Sequence, residues 1–386
     1  MGAEFLLYGY GLVCVSMLVF NLLYSFYLRA GDRRLTRRED RLRQRVEEQL
    51  EQLRQLPPGA PQEVQASHLT WMRRRLSHVN NLLAFDQLLA AWAAGDAACQ
   101  AYLSQLQPVF LYLATVYVKR ESTQAAYYCY FLAKNKLRSH MEMDAFQQVM
   151  LSCLKRDSFY CKLNALKALC SFGGPAALVE ALTQLGDGEG QLHEKVITEA
   201  LLSYKGDAAG LIQQLWARLD RFSLQVQRAV LDYIRFQSGG YGPQMLEILR
   251  DPRRHKELRL AAVRYFGKYP DPAAQDQLLA FLQETDPARW EYAAISASSL
   301  AGYHSQEVTA ALLQAMRSAN WYVRNNAATS LEAQGLSYEE MFRVLGGDDR
   351  YAREMLSYRL EAKRLEQETA RASHSTPNEK EGAVKA

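Results

Sequence analysis

The sequence predicts an all-α fold: an N-terminal transmembrane helix followed by an α-solenoid of helical hairpins. Three observations lead there. A 24-residue run without a charged side chain, Phe5 to Leu28, lies near the start of the chain. From Cys161 onward, apolar residues at helical spacing recur with a period in the thirties. Nowhere does a run of alternating β-branched and polar residues suggest a half-buried strand.

The apolar run exceeds the roughly 20 residues needed to cross a hydrocarbon core about 30 Å thick. Tyr8 and Tyr10 near one end and Tyr24 and Tyr27 near the other sit where aromatic side chains meet headgroups. A cleaved signal peptide would show a positive start, a shorter apolar run and a small-residue cleavage site, and none of these is present. Only Glu4 is charged ahead of the run, whereas eight arginines between Arg29 and Arg45 face three acids. That segment carries more than the whole net charge of +4, so the rest of the chain is about neutral and no general nucleic-acid surface is implied. The positive-inside rule then predicts a single-pass protein of the cell membrane, its N-terminus outside and its solenoid cytoplasmic. Arg29, Arg33, Arg34, Arg37 and Arg38 are the expected membrane-surface residues. They fix the orientation, and they can also bind anionic lipid headgroups at about 1 kcal/mol each.

Residues 1–28 are thus the anchor and residues 29–56 a basic juxtamembrane stalk. In the stalk Leu35, Leu42, Val46, Gln49, Leu53 and Leu56 keep heptad spacing. Two readings are open: a short parallel coiled coil giving a weak homodimer, or a helix that continues the anchor or lies against the solenoid. Pro57, Pro58 and Pro61 cannot sit in a helix interior and mark a linker over residues 57–68.

The repeat signal follows. Cys161, Leu192, Val226, Leu258, Glu291 and Val323 each open a stretch of helical spacing, separated by 31, 34, 32, 33 and 32 residues. Such periods denote stacked helical hairpins. Leu258-Arg259 and Val323-Arg324 open helices, the small pairs Ala261-Ala262, Ala293-Ala294 and Ala327-Ala328 recur, Gly267, Gly302 and Gly335 stand at helix ends, and Asp251, Asp286 and Asp348 fall between units. On these residues the array resembles HEAT repeats of the armadillo-like class, and a membrane-anchored protein with a HEAT repeat domain is implied. Alanine pairs allow close helix approach, glycine in the left-handed conformation caps a helix, and the arginines are expected to meet the inter-helix aspartates and tie successive layers. The Trp, Leu-Gly and Tyr signature of tetratricopeptide repeats does not recur. Regular repeats are expected over residues 144–365, divergent repeats or a cap over 69–143, and a disordered polar tail over 366–386.

No metal or nucleophile motif stands out. The seven histidines form no HExxH pair and none has zinc-ligand spacing with cysteine; GxxxxGK[ST], GxSxG and GxGxxG are missing. The six cysteines, Cys14, Cys99, Cys129, Cys153, Cys161 and Cys170, lack disulfide-framework spacing and read as reduced, buried small hydrophobes. Gly239 to Gly242 joins two helices and reads as a turn. Neither an enzyme nor a cofactor is expected, and no metal. The Arg73-Arg74-Arg75 run reads as a solvated face and the Tyr127, Tyr128, Tyr130 cluster as core filling. Trp290, Trp321, Tyr322, Arg324 and Asn325 are the candidate partner-binding residues, since Trp, Tyr and Arg dominate interface energetics. The competing reading is that the two tryptophans, 31 residues apart, fill a packing position that recurs with the repeat. The expected function is a membrane-tethered scaffold or adaptor whose solenoid presents a concave surface to an unidentified protein. The alternatives are an anionic-lipid-binding or membrane-organising role for the arginine segment and, less favoured, a HEAT-like enzyme acting on nucleic acid.

Overall fold

The computed structural model describes residues 2–55, 63–92, 97–135, 143–186, 191–337, 341 and 349–374. Residues 57–62 of the expected linker, Asp348 and residues 375–386 of the expected tail lie outside them, as does the Arg29 side chain. Every element among the described residues is helical. Two compact units divide the chain, residues 1–226 and 227–386.

The first unit begins with one unbroken helix, α1, Gly2–Gln55, which joins the apolar run to the stalk because no proline or glycine pair interrupts it. After it come α2 (Ala66–Leu76), α3 (Val79–Ala90), α4 (Ala97–Gln105), α5 (Gln107–Tyr117), α6 (Ser122–Lys134), α7 (Met143–Leu154), α8 (Phe159–Phe172), α9 (Pro175–Gln184), α10 (Glu194–Leu202) and α11 (Ala208–Ala217). They stack in two rows, α1, α3, α6, α8 and α10 in one and α5, α7, α9 and α11 in the other, each helix against the next. The stalk therefore occupies the end position of a row. Its Leu42, Val46, Leu50 and Leu53 are buried, and α1 packs on α3 and α4. At about 1.5–3 kcal/mol per fully buried aliphatic side chain, this contact is a sizeable part of the unit's stability. Of the two readings of the heptad, the helix lying against the repeats holds, and the homodimer expected on that seam loses its apolar surface to α3 and α4. Gln49, the polar interruption, accepts a hydrogen bond from the Gln65 amide at 3.3 Å.

Helix α12 (Leu224–Gln237) lies across the division. The second unit continues with α13 (Gly242–Arg250), α14 (Lys256–Lys268), α15 (Pro272–Leu282), α16 (Trp290–Ser299), α17 (Gln306–Ala315), α18 (Trp321–Ala333) and α19 (Arg350–His374). Again there are two rows: α14, α16 and α18 stack on one another, and α13, α15 and α17 do the same beside them. The alanine pairs of α14, α16 and α18 are buried between layers, as their size predicts. Local chemistry sets the helix starts: the Asp271 carboxylate accepts from the Ala273 amide at 2.9 Å with Pro272 behind it, and Asn320 accepts from the Tyr322 amide at 2.9 Å.

Three expectations need correction. Only Gly335 adopts the left-handed conformation, φ 95°, among the described residues. Gly267 is inside α14, and a Cβ there would lie 3.0 Å from the Ser299 Cα, so its role is close helix approach. The arginines do not meet aspartates: Arg259 Nε donates to the Leu249 carbonyl at 3.1 Å, and Arg324 Nη1 to those of Ser318 and Ala319 at 2.7 and 2.9 Å. Arg259 thus caps a carbonyl in the last turn of α13 and Arg324 holds the loop that leads into α18, while Asp251 is held by Arg253 at 3.0 Å. Finally, α19 runs past Leu365 to His374. An Arg364–Glu368 pair at 3.0 Å, four residues apart, supports the extra turns.

Candidate functional site

Tyr8–Tyr27 is a 20-residue stretch long and apolar enough to cross a membrane, with mean hydropathy 1.6. None of it is covered by the protein: Tyr8 is 77% exposed, Leu18 64% and Tyr27 76%. A helix apolar all round and bare all round is unstable in water. Below it Arg33, Arg34 and Arg37 are exposed and Arg38 partly so.

The arginines continue into a cleft of about 700 Å³. Arg38 and Arg41 line it from α1, Trp71, Arg74 and Arg75 from α2, and Asn80 and Asn81 from the start of α3. Of the Arg73-Arg74-Arg75 run, which reads as a plain solvated face in sequence, Arg74 and Arg75 thus face the stalk arginines, while Arg73 sits over the Tyr112 ring. Next to this cleft His68 is buried. Its Nε2 lies 2.7 Å from the Tyr102 hydroxyl, and burial, reinforced by the Arg45 guanidinium, lowers its pKa to about 4. It is neutral at physiological pH.

In the second unit the expected partner-binding residues divide. Trp290 stacks on Tyr322 with ring centroids 5.3 Å apart, Trp321 meets Tyr322 edge-on at 5.3 Å, and Tyr358 of α19 meets Trp321 at 6.0 Å. Trp321, Tyr322 and Tyr358 are exposed, a four-ring aromatic strip on the surface. Trp290 has a double role, since it also packs on Ala293, Ala294 and Val323 and lines a cleft of about 450 Å³. Arg324 is 6% exposed and committed to the carbonyls named above, so it is not part of that surface. Asn325 is partly exposed, but the neighbour Asn326 carries the inter-layer contact, donating to the Ala294 carbonyl at 2.8 Å.

Two further arrangements went unseen in the sequence. Tyr130, Lys134, Asn164, Lys167 and Lys205 line a cleft of about 590 Å³ along α6, α8 and α10. Lys134 at its edge pairs with the buried Asp86 at 2.7 Å, a hydrogen bond that raises the lysine's pKa. The other arrangement joins Cys129, Cys153 and Cys161, buried on α6, α7 and α8 with their sulfur atoms within 4.8 Å of one another. Among the described residues this is the group whose side chains converge closely enough to hold a metal ion. Cys161 is hydrogen-bonded by Cys129 and Cys153 and stands beside the Arg156 guanidinium, which together hold its thiol below the usual range; Cys129 is raised. Spacings of 24 and 8 residues match no ligand motif, so only folding reveals the cluster.

Residues 242–332 match the family model for HEAT repeats. That stretch covers α13 to α18, the most regular layers. No curated protein matches the sequence.

Proposed function

We propose that the chain, whose residues 242–332 match HEAT repeats, is a membrane-tethered scaffold recruiting a partner protein at the cytoplasmic face. HEAT repeats generally mediate protein–protein interaction and typically serve as scaffolds rather than as enzymes. The observation that carries the tether is α1: one helix holds the bare apolar span at one end and is buried against the repeats at the other. Seating Tyr8–Tyr27 in a bilayer would cover the exposed apolar surface, and the helix would carry the first unit with it, without a flexible joint. The arginine excess after the span supports a cytoplasmic repeat array. The strip of Trp290, Trp321, Tyr322 and Tyr358 supplies the kind of exposed aromatic surface on which partners anchor. Cross-linking in native membranes with the full chain tests this: Trp321→Ala with Tyr322→Ala should lose a specific cross-linked partner while alkaline extraction leaves the protein in the membrane. Release by alkaline extraction would remove the tether, and an unchanged set of partners would remove the aromatic strip.

A second reading concerns Arg33, Arg34 and Arg37. They lie about 9–15 Å along the helix beyond Tyr27, just below the headgroup layer of a bilayer whose core ends there and within about one screening length of its charge. Contact with anionic headgroups is proposed for these three, and it is compatible with a scaffold.

A further inference from the structure

Arg38, Arg41, Arg74 and Arg75 share one cavity, which sets them apart from the arginines around them. Arg259 and Arg324 are buried and donate to carbonyls, and Arg43 and Arg45 are paired with Glu39 at 2.8 Å and Glu48 at 3.1 Å. The four cleft arginines form no ion pair among the described residues, although they converge on one cavity from two helices. Four positive charges gathered without a counter-charge repel one another, which costs stability unless something compensates it. Two of them, one on each wall, are nevertheless held in place. Arg41 Nε donates to the Arg37 carbonyl at 3.1 Å, the Arg75 guanidinium sits 5.7 Å over the Trp71 ring, and Asn81 holds the Arg75 carbonyl at 2.9 Å. Ordered guanidiniums with free N–H edges around a polar cavity are what phosphate recognition requires, because each fork matches two phosphate oxygens.

We propose that this cleft is a binding site for a ligand carrying at least two phosphate groups. One phosphate monoester would leave about half the charge uncompensated; two match the four guanidiniums. The volume, about 700 Å³, is that of a small-molecule site. The inference stands independently of the scaffold reading. The same chemistry is offered by a soluble diphosphate and by a lipid with two phosphates, and the height of the cleft favours the soluble source. Arg38 and Arg41 lie about 17 and 21 Å along α1 from Tyr27, whereas the headgroup layer extends only about 5–8 Å beyond the hydrocarbon.

The test uses the full chain in detergent. Pyrophosphate is titrated calorimetrically, and cardiolipin, the two-phosphate lipid, is added against phosphatidylcholine and followed by native mass spectrometry. One saturable pyrophosphate site per chain is expected, weakened at least tenfold both by Arg74→Gln with Arg75→Gln and by Arg38→Gln with Arg41→Gln. Arg33→Gln with Arg34→Gln, outside the cleft, should change affinity by less than twofold. The cleft side chains of α2 are exposed, so the variants should melt as the wild type does, and two variants from opposite walls guard against a local distortion. Cardiolipin binding that disappears in the cleft variants while pyrophosphate fails to bind would keep the site and assign it to a lipid. Failure of both probes, or equal loss in the Arg33/Arg34 variant, would overturn the proposal.

Discussion

The two ends of α1 have similar residues and opposite surroundings. Leu18, Val19 and Leu22 of the upper part are bare, whereas Leu42, Val46 and Leu50 of the lower part are buried on α3 and α4. The difference lies in what surrounds the apolar stripe. In the lower part arginines, glutamates and glutamines take the outward positions, leaving a narrow stripe that a neighbouring helix row can cover. In the upper part no position is charged, so no protein neighbour covers it and a lipid phase can. One helix thus forms the end layer of a repeat array and carries the span that the proposed function reads as an anchor.

The comparison breaks most sharply with a charge placed in each half. Leu50→Asp should destabilise the repeats by more than about 4 kcal/mol, because it buries an unpaired carboxylate. Leu18→Asp should leave the melting temperature of the detergent-solubilised protein within a degree or two and reduce membrane retention instead. Equal melting losses would mean that the upper half also packs on protein. Next in size is Leu53→Ala, expected to cost about 2–4 kcal/mol in a denaturant melt, as for other buried leucines.

A pH titration sharpens the same contact. His68 lies under the lower half of α1 near Arg45, with its pKa lowered from 6.5 to about 4. The unfolded chain therefore takes up a proton that the native state refuses. Stability is full above about pH 6.5, falls as pH drops from there, and levels below about pH 4, a loss of roughly 3 kcal/mol. Melts at pH 7.5 and pH 5 should show this decline, and His68→Gln should flatten it. The smallest effect belongs to Gln49→Ala, which removes the acceptor of the Gln65 amide for about 1 kcal/mol.

Much of this organisation is legible in the sequence. The uncharged run, the heptad in the stalk, the period from Cys161 and the alanine pairs all depend on spacing along one helix, and each appears in the structure where spacing puts it. Contacts between helices are not written that way. Asn326 donates to Ala294 across layers, and Asn164 on α8 donates to the Ala126 carbonyl on α6 at 3.0 Å, the same tie in the first unit. Asparagine in a helix signals nothing by itself, so the likeness between divergent and regular repeats was hidden. Asn164→Ala and Asn326→Ala should each cost about 1 kcal/mol through the lost inter-layer hydrogen bond, read in a denaturant melt. The targets of Arg259 and Arg324 were misread because an arginine near aspartates suggests an ion pair, whereas a buried helix end needs donors first. The aromatic strip was half visible: Trp290, Trp321 and Tyr322 are near in sequence or in register, but Tyr358 joins from α19. The arginine cleft joins residues 33 to 37 positions apart and the cysteine cluster residues 8 to 32 apart, spacings that no motif encodes.

The anchor can be tested directly by a cysteine scan of α1 in native membranes, in a Cys14→Ser background; the other five cysteines are buried and will not interfere. A membrane-impermeant maleimide should fail to label any position from 8 to 27, on every side of the helix, and should label positions 33, 34 and 37. Labelling within 8–27, whether throughout or on one face at intervals of three to four residues, would contradict a membrane-spanning helix.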